Sequence, residues 1–191
     1  TFDPGVRALV SKFGNYYDDS KGYFDSIEQI AMNDAQARTN ALMTNQVDAI
    51  NRMDFKTEQL IKANPNTEIL EVTGNQHYTF PMLTGSDPYG SLEVRQALKH
   101  LFNRQELVDK ILLGHGAVGN DHPIGPANQY YAADLEQNDY DPEKAKSLLK
   151  KAGMDGLSID LSVSEAAFAG ATDAGQLIQN SAKAGGVNIN V

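Results

Sequence analysis

The stretch "SLEVRQALKHLFNRQELVDKILLGHG" occupies residues 91–116. In its first half Val94, Ala97, Leu98, Leu101 and Phe102 recur at i, i+3, i+4, i+7 and i+8, which is one apolar face of an amphipathic helix over 91–102. Asn103 followed by Glu106 has the spacing of a capping box, with Asn in place of Ser or Thr. A second helix is therefore expected over 103–114, ending at Gly114, where a left-handed terminator fits. Two helices joined with almost no linker, and then 25 residues rich in Gly, Pro, Asn and Asp (115–139), fix the layout of the chain's second half.

Outward from there, "DPEKAKSLLKKAG" (141–153) is the sharpest helix signal. Asp141 caps, Pro142 takes the first helical position, Ala145, Leu148, Leu149 and Ala152 make the apolar stripe, and Gly153 stops it. A strand over 157–163, a helix over 172–185 and a strand over 187–191 follow. Upstream, strands are expected over 6–13, 24–32 and 47–50, and helices over 33–46, capped by Asn33 or Asp34, and 55–64. Residues 67–72 and 76–83 read as a hairpin around Gly74-Asn75, with Pro81 at an edge or bulge. The class is α/β, a mixed sheet with flanking helices and βαβ units.

Composition narrows the function. Of 191 residues, 16 are Lys or Arg and 25 are Asp or Glu, a net charge of −9, and no basic stripe is present. Binding to nucleic acid or an anionic membrane is not supported. There is no cysteine, so disulfides, thiolate metal sites and cysteine nucleophiles are excluded. No apolar run approaches the roughly 20 residues of a membrane-spanning helix. The opening "TFDPGVRALV" lacks an initiator Met and is read as part of a longer protein.

Residues 114–119, "GHGAVG", match G-x-G-x-x-G. A dinucleotide fingerprint needs a strand before the glycines and a helix after them, so that helix N–H groups face the pyrophosphate. Here a helix precedes and a Pro-rich loop follows, so no cofactor is expected. His115, Asp121 and His122 are chemically suitable metal ligands without a helical or tight-turn spacing, and no metal is expected. Glu165 and Asp173 are the one carboxylate pair open to consideration, and nothing in the spacing joins them. No catalytic residue is assigned. In 76–83 period-two alternation puts Tyr78, Phe80 and Met82 on one face, either packed in the core or facing a ligand.

Three stretches taken together, 91–116, "YDPEKAKSLLKKAG" (140–153) and "GYFDSIEQIAMNDAQARTNALMTNQVDAI" (22–50), resemble the family 5 extracellular solute-binding proteins of ABC importers, which take dipeptides, oligopeptides or nickel. The resemblance implies one lobe of a two-lobed fold of the periplasmic-binding-protein kind (type II, cluster C), with residues 1–191 a single domain, the C-terminal lobe without its last segment. It implies capture of a peptide-like solute in the periplasm, an ABC permease as membrane partner, a monomer, and no enzymatic step. It also places the 115–126 loop near the cleft mouth, so that His115, Asn120, Asp121 and His122 are candidate ligand contacts, with Tyr78, Phe80 and Phe168. Two departures bear on the solute. The Arg that relatives carry after the strand matching 157–163 is missing from "SEAAFAGAT" (164–172), and Leu83 stands where an Asn is common. A non-peptide solute, an oligosaccharide or a metal chelate, is the alternative. A metal-dependent enzyme using the 114–126 loop is the more distant one.

Overall fold

The computed structural model describes residues 1–191 except Thr73, Asn75 and Asn120. It divides into two compact units, Thr1–Asp54 and Phe55–Val191.

In the first unit β1 (Phe2–Asp3), β2 (Arg7–Ser11) and β3 (Ser26–Ile30) form an antiparallel sheet in that order. Leu9 lies opposite Glu28 and Val10 opposite Ile27. The expected strands over 6–13 and 24–32 are thus formed at their centres. β1, only two residues long, is too short to show an alternation in sequence. Helix α1 (Ala35–Met43) begins where the Asp34 carboxylate accepts the Ala37 N–H at 2.6 Å. Arg38 leaves this helix to bind the carbonyls of Met32 (2.8 Å), Asn33 (3.0 Å) and Arg52 (3.0 Å), tying both flanks of α1 together. The strand expected over 47–50 does not form. Asn45 turns left-handed (φ 56°), and the N–H groups of Gln46 and Val47 both return to the Ala41 carbonyl, so the chain coils off the helix end.

The second unit opens with a 3₁₀ turn (Phe55–Thr57) leading into α2 (Glu58–Lys62). Then come α3 (Leu92–Leu101), α4 (Arg104–Lys110), α5 (Pro142–Lys151), β4 (Ser158–Asp160), α6 (Ala171–Lys183) and β5 (Asn188–Asn190). β4 and β5 pair in parallel, with Ile159 opposite Ile189, and α6 is the crossover between them. Parallel and antiparallel pairing are both present, in two separate small sheets. The core is the meeting of four apolar faces: Val94, Ala97, Leu98 and Leu101 of α3, Ala145 and Leu149 of α5, Ile178 and Ala182 of α6, and Val187 and Ile189 at β5. The α3 and α5 faces are the stripes the 3.6-residue period marks, and each fully buried Leu or Ile contributes about 1.5–3 kcal/mol. Gly185 lets this layer close up, since a Cβ there would run into Leu101 Cδ2.

The capping signals at Asn103 and Asp141 are realised, each accepting the N–H three residues on, from Glu106 and Lys144, and Ser91 does the same for Val94. The Asp141 N–H donates to the His100 carbonyl at 2.9 Å, so the start of α5 is fastened to the end of α3. Asp141→Ala is expected to cost about 1 kcal/mol, read as a lower urea midpoint with an unchanged slope.

Three further expectations change in the second unit. α4 stops at Lys110 and not at 114, because Leu113 (φ 49°) and Gly114 (φ 88°) reverse the chain. The strand at 157–163 shortens to β4, although the Leu161 N–H still reaches the Asn190 carbonyl at 2.8 Å. The hairpin over 67–72 and 76–83 is not paired among the described residues, and the Asn75 of its expected turn lies outside them. Leu70 and Val72 stay exposed, while Phe80 and Met82 pack on the helical core. Burial against helices, not ladder bonding, holds the second run, and Pro81 supplies no donor for a ladder.

Candidate functional site

Tyr78 and Phe80 both reach Phe168. Phe80 meets Phe102, the residue closing α3, edge to face with ring centroids 5.7 Å apart and planes at 79°. Phe168, on the loop before α6, stacks on Tyr78 at 4.2 Å and 19°, and meets Phe80 edge-on at 6.4 Å and 86°. The inner rings are half-buried against the core, whereas Tyr78 keeps 42% of its surface exposed. The arrangement is an apolar wall with one wet face, the kind of surface that receives a ring, an aliphatic chain or a sugar face. Tyr78, Phe80 and Phe168 are brought together as a group. Phe102 was legible only as a member of the α3 stripe.

Glu165 governs the loop that carries Phe168. Its carboxylate accepts the N–H groups of Gly170 (2.8 Å) and Thr172 (3.0 Å) at the start of α6. The Thr172 and then the Gly170 backbone bonds hold the Glu165 carboxyl below its usual range. Gly170 is left-handed (φ 85°) and packs so close to Ile111 that a Cβ would sit 2.9 Å from its Cγ2. Asp173 pairs with Lys56 at 2.9 Å. Glu165 and Asp173 therefore lie near one another at one helix end but serve separate partners, a backbone cap and an ion pair. A carboxylate with a depressed pKa stabilises the fold above its unfolded pKa of about 4.5, and that stability is lost as the pH falls through the lower folded value. The melting-temperature gap between wild type and Glu165→Gln is thus expected to be full at pH 7 and to vanish below the folded pKa, as a pH series of thermal scans would read.

The loop residues go to different places. His115 stacks on Phe55 (4.7 Å, 5°), with Nδ1 3.1 Å from Glu71 Oε1 and Nε2 3.6 Å from Glu58 Oε2. Lys62, bonded to Glu58 at 2.7 Å, is the main cause holding that carboxyl below its usual range, and His115 adds to it. Asp121 is carried back to the other end of α4. Its Oδ2 accepts from Arg104 (3.0 Å) and Asn138 (2.9 Å) and faces Lys99 at 3.7 Å. Arg104 also binds the carbonyls of Lys99 and Asn138, at 2.8 and 2.9 Å. His122 lies by Tyr131, with ring centroids 5.8 Å apart. Asn120 lies outside the described residues. His115 and Asp121 thus do not converge, and the two glutamates beside His115 approach opposite ring nitrogens, so they cannot share one ion with it. Among the described residues no group of three or more His, Asp or Glu side chains is arranged to hold a metal. Glu58, Glu71 and Phe55 lie 44 to 60 positions from His115, which is why no local pattern announced them.

The family model described as "Bacterial extracellular solute-binding proteins, family 5 Middle" matches residues 1–191. The chain belongs to this family. Among curated family 5 relatives, the glutathione-binding protein GsiB of Salmonella choleraesuis (strain SC-B67) is 29% identical over 153 residues, covering 80% of this chain and 30% of that protein. The chain thus spans about a third or less of the length of the curated relatives it matches. Among solved structures, the binding protein AgaA of A. tumefacien R10 in complex with agropinic acid superposes with a TM-score of 0.77 at 26% identity, over 100% of this chain and 39% of that one. The periplasmic binding protein DppA of Helicobacter pylori, in complex with the peptide STSA, gives a TM-score of 0.77 at 19% identity, over 100% and 36%. That identity carries the fold alone. The α/β architecture is that of one lobe of a type II periplasmic binding protein.

Proposed function

We propose that this family 5 chain is the C-terminal lobe of the substrate-binding component of an ABC importer, and that it captures a peptide-like solute in the periplasm. The observation that carries the reading is the half-wet stack of Tyr78 on Phe168, backed by Phe80. The stack forms one wall of the cleft, and closure of a second lobe over it shifts the protein to the form that docks on the permease. The relatives' names, a glutathione-binding protein and a peptide-bound DppA, support a peptide-like solute. No bond is made or broken in this reading, and the protein works as a monomer without cofactor or nucleic acid. His115 and His122 belong to the rim of the cleft. Asp121 shapes that rim through Arg104 and Asn138.

A non-peptide solute is the second reading, favoured by one observation. The 164–172 loop has no Arg or Lys, and its one carboxylate is spent on backbone, so a bidentate clamp for a peptide carboxylate is missing there. AgaA in complex with agropinic acid, among the structural relatives, supports that alternative, for which an oligosaccharide or a metal chelate is a further candidate. Native mass spectrometry of the full-length protein purified from its host separates the readings. A retained mass of peptide composition supports the first and a sugar, opine or chelate the second. Stoichiometric turnover of that solute would refute both.

A further inference from the structure

The segment that presents Phe168 is held shut at several points. The Ala166 N–H donates to Ser164 Oγ (3.2 Å), the Ala167 N–H to the Ser164 carbonyl (2.9 Å) and the Ala171 N–H to the Phe168 carbonyl (3.1 Å). Glu165 closes the ring, with one carboxylate oxygen on Gly170 and the other on Thr172. These two amides open a 13-residue helix, the end that carries partial positive charge and unpaired donors. Such an end ordinarily draws an anion. Here the anion is the protein's own, tethered five and seven residues away, and Phe168 lies inside the span it closes. Lys56, a cation at this helix end, faces Asp173.

We infer that Glu165 is a positioning and specificity-determining residue: it holds Phe168 against Tyr78 and occupies the first amides of α6, so that the wall receives neutral or cationic solute groups and turns anionic ones away. The inference rests on the proposed role of Tyr78 and Phe168 as a solute wall. The chemistry of exclusion is simple. An incoming carboxylate or phosphate finds the Gly170 and Thr172 N–H groups already bonded and a fixed negative charge beside them, and the 164–172 stretch offers no guanidinium to replace the water it must shed.

Solute-free readouts test it on the full-length protein. Amide hydrogen exchange at Gly170 and Thr172 is measured in wild type, Glu165→Gln and Glu165→Ala, with and without acetate as the anion probe. Nitration of Tyr78 is followed by mass spectrometry in the same samples, with Phe168→Ala as reference. Exchange is expected to quicken by about tenfold in Glu165→Ala and less in Glu165→Gln, which keeps one acceptor oxygen. Acetate should restore protection in Glu165→Ala and leave wild type unchanged. Tyr78 nitration should rise in Glu165→Ala toward the Phe168→Ala value and fall back with acetate, a rescue that general loosening of the fold does not give. Unchanged exchange in Glu165→Ala, or wild-type amides that respond to acetate, would overturn the inference. A solute later found bound away from Tyr78 would instead overturn the wall reading, while these readouts would stand.

Discussion

Leu101→Ala is expected to lower the unfolding free energy by about 2–5 kcal/mol, among the largest losses any single truncation in this chain produces. Leu101 is fully buried, at the junction of α3 with α5, α6 and β5. Its side chain fills the place a Cβ at Gly185 would take, with Cδ1 and Cγ each 3.2 Å from that position. The packed neighbours of Leu101 leave it little room to swing aside, so Gly185→Ala overpacks the same spot and costs about 1–3 kcal/mol. The pair is expected to be non-additive. In Leu101→Ala/Gly185→Ala the new methyl occupies part of the cavity, and the double variant should be more stable than the sum of the singles implies. Urea unfolding of the four proteins gives the cycle, and strict additivity would show that the two residues do not share that space.

Phe168→Ala is expected to weaken binding of the co-purified solute by about 30-fold or more, the loss typical of truncating a central aromatic anchor. Tyr78→Ala should follow closely, because each ring is the other's support at 4.2 Å. Phe80→Ala would cost stability as well as affinity, since Phe80 packs into the core cluster and against Phe102. The pattern of the three, with affinity lost at constant stability for Phe168 and both lost for Phe80, is what a ligand wall with a buried backing produces. Isothermal titration beside thermal scans separates the two contributions. Equal losses of stability at all three positions would reduce the cluster to ordinary core.

The helices were legible because their signals are local. α5 carries a cap, a stripe and a terminator within about three turns, α3 carries its stripe, and the burial of Val94, Leu98, Leu101, Ala145 and Leu149 follows the period residue by residue. The failures involve distant partners. The run 67–72 has strand composition but ends with Leu70 and Val72 in water, because 76–83 takes its burial from helices. The 47–50 run lost to a left-handed turn at Asn45 that neighbouring residues do not signal. At the site, alternation put Tyr78 and Phe80 together and the family resemblance named Phe168 beside them, but only the fold stacks Phe168 on Tyr78 and adds Phe102. His115, Asp121 and His122 are close in sequence and were grouped for that reason. A short helix, α4, separates His115 from Asp121, because Arg104 at its start takes Asp121 while His115 goes to Phe55 and the two glutamates beyond its end. Glu165 read only as half of an unjoined carboxylate pair because backbone N–H groups, its actual partners, have no signature in sequence.

The most direct test of the central claim is a crystal structure of the full-length protein with the solute that co-purifies from its host. The wall reading predicts solute atoms within about 4 Å of both Tyr78 and Phe168, with the Glu165 carboxylate still on Gly170 and Thr172. A solute seated elsewhere, with both rings clear of it, would contradict the claim.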